Sequence, residues 1–192
     1  MVCTDFQRDP YEEDLKSAYA PNVAVIVKAR MSSSRFPGKM MTDIAGKPMI
    51  ARVLSRLSSL PYHIILATPN TEDNQPLVDV ASSMSISHFE GSLDDVLTRY
   101  WQCATFFDAK VVVRITGDCP LIDPGIVQLM VSRFFEAEGE FDYIYNTNDG
   151  TVRGSNFYPD GMDIEVFSYE ALTKCYEEAT ELTDREHVTS YM

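Results

Sequence analysis

The chain has 192 residues, 45% of them apolar, with 29 Asp and Glu against 16 Lys and Arg, for a formal net charge of −13. That balance repels nucleic acid and anionic membrane surfaces, and the length supports one substantial core but not two full-sized domains. No run approaches the roughly 18 consecutive apolar residues that span a bilayer, and the start MVCTDFQRDPYEEDLK has acids where a signal peptide needs a cationic and then an apolar stretch, so a cytosolic protein is expected.

Residues 1–21 are charged and lack sustained periodicity, and read as a loosely docked extension ahead of one domain over 22–192. From Val23 onward apolar runs of strand length alternate with amphipathic segments. VAVIVK (23–28) predicts a buried strand, followed by a helix over about 48–60, the strand HIILAT (63–68), a helix over 74–84 and a short strand at His88–Phe89. Ser92 and Asp95 read as the N-cap and first-turn acid of a helix running to Phe107, and KVVVRIT (110–116) is the β-branched run of a central parallel strand. A helix over 125–138, the strand DYIYN (142–146), a Gly/Asn-rich loop (147–161), the strand MDIEVF (162–167), a helix over 168–180 and a helix start at Thr183 or Asp184 complete the chain. Such alternation predicts an α/β sheet. Cys3, Cys103, Cys119 and Cys175 are too scattered for a zinc site or disulfide framework and are expected to be free thiols.

The charge is unevenly spread. Between Lys28 and Arg56 lie seven basic residues and one acid, Asp43. Arg52 and Arg56 fit a solvated helix face, but Arg30, Arg35 and Lys39 sit among Ser, Pro and Gly, where no helix is expected. A cationic loop on an acidic protein suits a small, highly charged anion such as a triphosphate. The small side chains of Ser32, Ser33, Ser34 and Gly38 let backbone N–H groups approach phosphate oxygens, while Arg30, Arg35 and Lys39 supply charge-assisted hydrogen bonds. Gly38-Lys39 lacks both the preceding spaced glycine and the following Ser/Thr of a P-loop.

Asp118 follows the predicted central strand, where a carboxylate can hold magnesium against nucleotide phosphates, whereas Asp123 before Pro124 reads as a helix cap. In MDIEVF the period of two puts Asp163 and Glu165 on one face, which is equally consistent with a solvent-facing sheet surface and with a cluster serving metal or a cationic partner. His187 alone reads as a surface or capping residue, and His63 as structural.

The pattern Arg30-x-x-Ser-x-Arg35-x-Pro37-Gly38-Lys39, followed by Gly46-Lys47-Pro48-Met49, resembles that of the sugar nucleotidyltransferases. It is most similar to the cytidylyltransferase branch that includes the sialic acid and Kdo enzymes and the spore-coat polysaccharide protein F group. Four further segments carry the resemblance over about residues 23–191: Glu90-Gly91-Ser92 with Asp94-Asp95-Val96-Leu97, Arg114 to Ile122, Pro159 to Phe167, and Arg185-Glu186-His187-Val188-Thr189. Phe36 stands where that group usually has leucine.

The resemblance implies a Rossmann-like three-layer α/β/α nucleotidyltransferase domain with a mostly parallel sheet, acting on CTP and a sugar or sugar acid with Mg²⁺ as cofactor. It implies that Arg30, Arg35 and Lys39 hold the β and γ phosphates, that Asp118 and Asp163 hold the metal, and that Ala67, Thr68, Thr116 and Gly117 line the nucleotide pocket. It tips Asp160, Glu165, Arg185 and His187 toward the acceptor. It also implies a further strand and an Asp-Thr-Pro-x-Asp segment beyond the position of Met192, so the chain is expected to cover its sheet edge as a homodimer. Two other readings stay open: a glycosyltransferase of similar topology, whose Asp-x-Asp would have to be Asp163-x-Glu165, and a non-catalytic nucleotide-binding or assembly module.

Overall fold

The computed structural model describes residues 22–33, 35–146, 158–159 and 161–192. The extension over 1–21, most of the Gly/Asn-rich loop, and the site candidates Ser34 and Asp160 lie outside the described residues.

Six strands form the main sheet: β1 (Val23–Lys28), β4 (His63–Pro69), β5 (Ser87–Gly91), β6 (Val111–Thr116), β7 (Tyr143–Tyr145) and β8 (Glu165–Ser168). Their order is β5-β4-β1-β6-β8-β7. The first four are parallel, β8 runs antiparallel to β6, and β7 antiparallel to β8. The central strands are apolar throughout because both faces are covered. Val23, Val25 and Val27 pack with Ile64, Leu66 and the helices α1 (Met49–Leu57), α2 (Gln75–Ser83) and α4 (Pro124–Glu136). Ala24 and Ile26 turn to the other face, against α3 (Val96–Phe106) and α5 (Tyr169–Glu178). A last short helix, α6 (Leu182–His187), lies beside α3. These are the three α/β/α layers expected.

Local chemistry sets the element bounds. In α1 the buried positions Ile50, Val53, Leu54 and Leu57 repeat at helical spacing and fix the face laid on the sheet. Asp95, not Ser92, caps α3: its carboxylate accepts from Thr98 N at 2.8 Å, while Ser92 Oγ accepts from Asp95 N at 3.1 Å and closes the turn ahead of the helix. Asp123 caps α4 through Gly125 N at 2.7 Å, as its position before Pro124 predicts. Two features depart from expectation. The strand expected over 162–167 begins only at Glu165, so Asp163 precedes it. Inside the basic segment lies a small hairpin, β2 (Asp43–Ile44) and β3 (Lys47–Pro48), turned by Ala45 at φ 52° and Gly46 at φ 83°.

Candidate active site

The basic loop leaves the carboxyl end of β1 and crosses the carboxyl end of β6. Gly117 sets how closely the two segments meet. Its N–H donates to Lys28 O at 2.8 Å, and a Cβ there would lie 2.9 Å from Ala29 Cβ, 3.1 Å from Lys28 O and 3.2 Å from Ile50 Cδ1. Only glycine admits that approach. Gly38, at φ 72°, turns the loop by a backbone conformation that disfavours side chains, and its N–H donates to Met31 O at 3.2 Å. Asn74, fully buried before α2, accepts from Met31 N at 2.8 Å and donates to Thr71 Oγ1 at 2.6 Å, pinning the loop's first turn.

The resulting cleft, about 490 Å³, is lined by the cations Lys28, Arg30, Arg35, Lys39 and Arg99, the acids Asp118 and Glu186, and Ser32, Ser33 and Thr116. Carboxyl ends of parallel strands are where open α/β sheets bind ligands. Lys39 Nζ donates to Asp118 Oδ2 at 2.7 Å, and both side chains keep more than a third of their exposure. Burial acts to raise the Asp118 pKa, but hydrogen bonds from Lys39 and Thr116 and the Lys39 charge outweigh it, holding the carboxyl below its ordinary value. Burial, reinforced by the charges of Arg114, Arg99 and Arg30, lowers the Lys28 ammonium to a pKa of about 8.

The sequence-derived candidates separate into groups. Arg30, Ser32, Ser33, Arg35, Lys39, Thr116 and Asp118 share the cleft. Gly38 and Gly117 shape its walls. Asp163 lies beside the Asp118 turn, since its backbone hydrogen-bonds to the Cys119 thiol. Ala67 and Thr68 are fully buried in β4 and are not among the residues lining the cleft; the Ala67 carbonyl accepts from Ala29 N at 3.2 Å, and Thr68 Oγ1 is buried without a hydrogen-bond partner. Glu165 pairs across the sheet with Arg114 at 2.6 Å and accepts from Thr189 Oγ1 at 3.2 Å. It is therefore neither half of a free Asp-x-Glu pair nor turned to the cleft, which removes the feature the glycosyltransferase reading needed.

Arg185 is also engaged. Its guanidinium donates twice to Asp95 Oδ2, at 2.6 and 2.9 Å, and also to Thr98 Oγ1, Tyr176 O and Ala179 O, with the plane over the Tyr176 ring. It clamps α6 to α3 and α5. His187 is exposed at the end of α6, and its neighbour Glu186 is the cleft-lining residue of that motif.

Sequence reasoning missed Lys28, Asn74, Arg99 and Glu186. Arg99 left a signal: it sits three residues after Val96 and four before Cys103, inside the apolar stripe of α3, where a cation is out of place. Lys28, an ionisable end to an otherwise apolar strand, left a weaker one.

Fold and cleft together define an α/β domain that presents cations at the carboxyl edge of a parallel sheet. A family model described as "Cytidylyltransferase" matches residues 24–192, and the chain belongs to that family. It is 25% identical to the spore coat polysaccharide biosynthesis protein SpsF of Bacillus subtilis, over 88% of this chain and 72% of that protein. It is 39% identical to a 3-deoxy-manno-octulosonate cytidylyltransferase of Haemophilus influenzae, over 54% of this chain and 42% of that one. Among solved structures, a cytidylyltransferase from Leptospira borgpetersenii superposes with a TM-score of 0.81 at 30% identity, covering 88% of this chain and 70% of that one. The chain spans from 42% to 72% of the length of the curated relatives it matches. The family expected from the ordered motifs is the family found.

Proposed function

We propose that this chain transfers CMP from CTP to a sugar or sugar acid, releasing pyrophosphate, in the biosynthesis of a cell-surface polysaccharide, and that it does so in the cytoplasm as a homodimer. The observation that carries the reading is the cleft, where three loop cations face the carboxylate of Asp118 at the end of a central parallel strand. Family membership supports CTP as donor. The relatives' names support a saccharide acceptor.

In this reading an acceptor oxygen attacks the α-phosphorus. The bond to the oxygen bridging the α and β phosphates breaks, pyrophosphate leaves with that electron pair, and the acceptor's proton passes to solvent. Arg30, Arg35 and Lys39 bind the β and γ oxygens and neutralise the charge that grows on the leaving group. Backbone N–H groups at Ser32 and Ser33 orient the same phosphates. The protein contributes positioning and electrostatics rather than a covalent intermediate.

Magnesium fits the residues present. Asp118 and the adjacent Asp163 offer hard carboxylate oxygens, and Mg²⁺ is held in nucleotide sites by one or two carboxylates together with phosphate oxygens. When bound, it supplies charge neutralisation at the α-phosphate. Lys39 pairs with Asp118 at 2.7 Å within the same cleft, so one cation serves both the carboxylate and the phosphate side of the site.

The test is pyrophosphate release from CTP with magnesium across a panel of sugar acids and sugar phosphates, run beside transfer from nucleotide sugars. Pyrophosphate release dependent on both CTP and an acceptor is expected. CTP binding without turnover on any acceptor selects the assembly-module reading, and transfer from a nucleotide sugar selects a glycosyltransferase. Light scattering at twice the chain mass is the expected result for the dimer.

A further inference from the structure

Two arginines and a lysine meet beneath the cleft, and their charges are not equally compensated. Arg114 has Glu165. Among the described residues Arg99 has no ion-paired carboxylate, only the more distant charge of Asp95: it is 1% exposed, its Nε lacks any hydrogen-bond partner, and its guanidinium is held through a single contact, to the Ser92 carbonyl. The carboxylate one helical turn before it, Asp95, would be its natural partner, but that group is occupied by Arg185 through two nitrogens. Lys28 forms no side-chain hydrogen bond or ion pair among the described residues, although Asp118 lies near enough to favour its charge. Glu186, the other acid of the cleft, is exposed and pairs with neither cation.

Leaving two cations without an ion-paired carboxylate among the described residues in a largely desolvated wall is costly for a fold, and a ligand's acid group would complete them. The site is also built for Arg99. A Cβ on Gly91 would lie 3.0 Å from Arg99 Cγ, so the bare backbone of β5 is what lets the Arg99 stem pass over it toward the cleft. Both side chains reach the same cleft as the loop cations, but from the sheet and α3 rather than from the loop.

We infer that Lys28 and Arg99 form a second oxyanion seat on the inner wall of the cleft, separate from the loop cations, which takes one acidic group of a substrate directly. The inference rests on the CMP-transfer reading only for the identity of that group, which is either the α-phosphate of the nucleotide or the carboxylate of an acidic acceptor.

Calorimetric titration of the full chain distinguishes these sources, with Lys28→Gln, Lys28→Arg and Arg99→Gln as variants and Arg52→Gln as a control that removes a like charge outside the cleft. If the seat takes the α-phosphate, Lys28→Gln and Arg99→Gln weaken CMP by roughly tenfold or more and Lys28→Arg restores most of it. If it takes the acceptor acid, CMP binding is unchanged, but glucuronate binding to the CMP-loaded protein falls by the same factor. Arg52→Gln should change neither. CMP and glucuronate affinities that both match wild type in a folded Lys28→Gln protein overturn the seat, whatever becomes of Arg99→Gln. If the wild-type chain binds no cytidine nucleotide, the functional reading fails by itself, and inorganic phosphate, a single oxyanion matched to the seat, then judges it. In that case a tenfold loss in Lys28→Gln upholds it and an unchanged affinity overturns it.

Discussion

Glu165 is where the sequence and the folded chain disagree most sharply about a role, and one substitution separates the two accounts. Its carboxylate lies 2.6 Å from Arg114, directly opposite it in the β6–β8 register, with side chains only 16% and 12% exposed. Arg114 Nε already has no partner. Glu165→Gln keeps shape and some hydrogen bonding but leaves the guanidinium charge uncompensated. Breaking a buried pair from one side costs about 3–5 kcal/mol, and the residual exposure here puts the expected loss at the lower end, about 3 kcal/mol. In a domain of this size that lowers the Tm by roughly 6–12 °C. Urea titration followed by circular dichroism should give a lower midpoint with an unchanged m-value. Replacing both members, Arg114→Met with Glu165→Met, should recover most of the loss, because an apolar pair has no charge to strand. If Glu165→Gln is as stable as wild type yet loses acceptor affinity, Glu165 is a substrate ligand and the structural account is wrong.

Arg35→Ala and Lys39→Ala should each weaken CTP by about 1.5–3 kcal/mol while leaving CMP nearly unaffected, since these cations are assigned to β and γ oxygens; equal weakening of the two nucleotides refutes the assignment. Asp118→Asn should abolish magnesium-dependent turnover yet change stability by no more than about 1 kcal/mol, because the Lys39–Asp118 pair is half exposed; early melting with normal activity marks Asp118 as structural. Asp95 is acted on first by burial, which raises its pKa, and then by hydrogen bonds from Arg185 and Thr98 and the Arg185 charge, which together outweigh burial and leave it below its ordinary value. Its contribution to stability is thus fully present above the unfolded carboxyl pKa of 3.8 and is lost as pH falls through the lower folded value, so Asp95→Asn should flatten the acid limb of the stability curve below about pH 4. An acid limb identical to wild type contradicts the Arg185 clamp.

The elements that position the cleft were legible because their physics is local. VAVIVK, HIILAT and KVVVRIT are buried on both faces, and a strand of that kind needs no pairing information to be recognised. The β2–β3 hairpin was not legible, because strands of two residues carry no period and Ala45 is a weak signal for positive φ. The start of β8 was missed for a related reason: alternation says which residues share a face once a strand exists, not where pairing begins. Asp163 therefore moves off the strand and next to Cys119, while Glu165 turns to Arg114. Arg185 illustrates the remaining gap, since a conspicuous cation in a family motif is engaged by Asp95 from 90 residues away.

The exposures of the cleft cations carry the last step of reasoning. Arg30 and Arg35 stand in solvent, where a guanidinium keeps its hydration and its freedom, so under the proposed function their contribution is to capture the phosphates and is screened by salt. Lys28 and Arg99 have already lost most of that hydration during folding, with Arg99 held almost wholly out of water. An anion that reaches them does not have to strip them again, and each contact forms at lower dielectric, where it is stronger. A net-acidic protein can thus deter stray polyanions over its surface while keeping, at one strand edge, an outer set of cations for recruitment and an inner set already fixed in place.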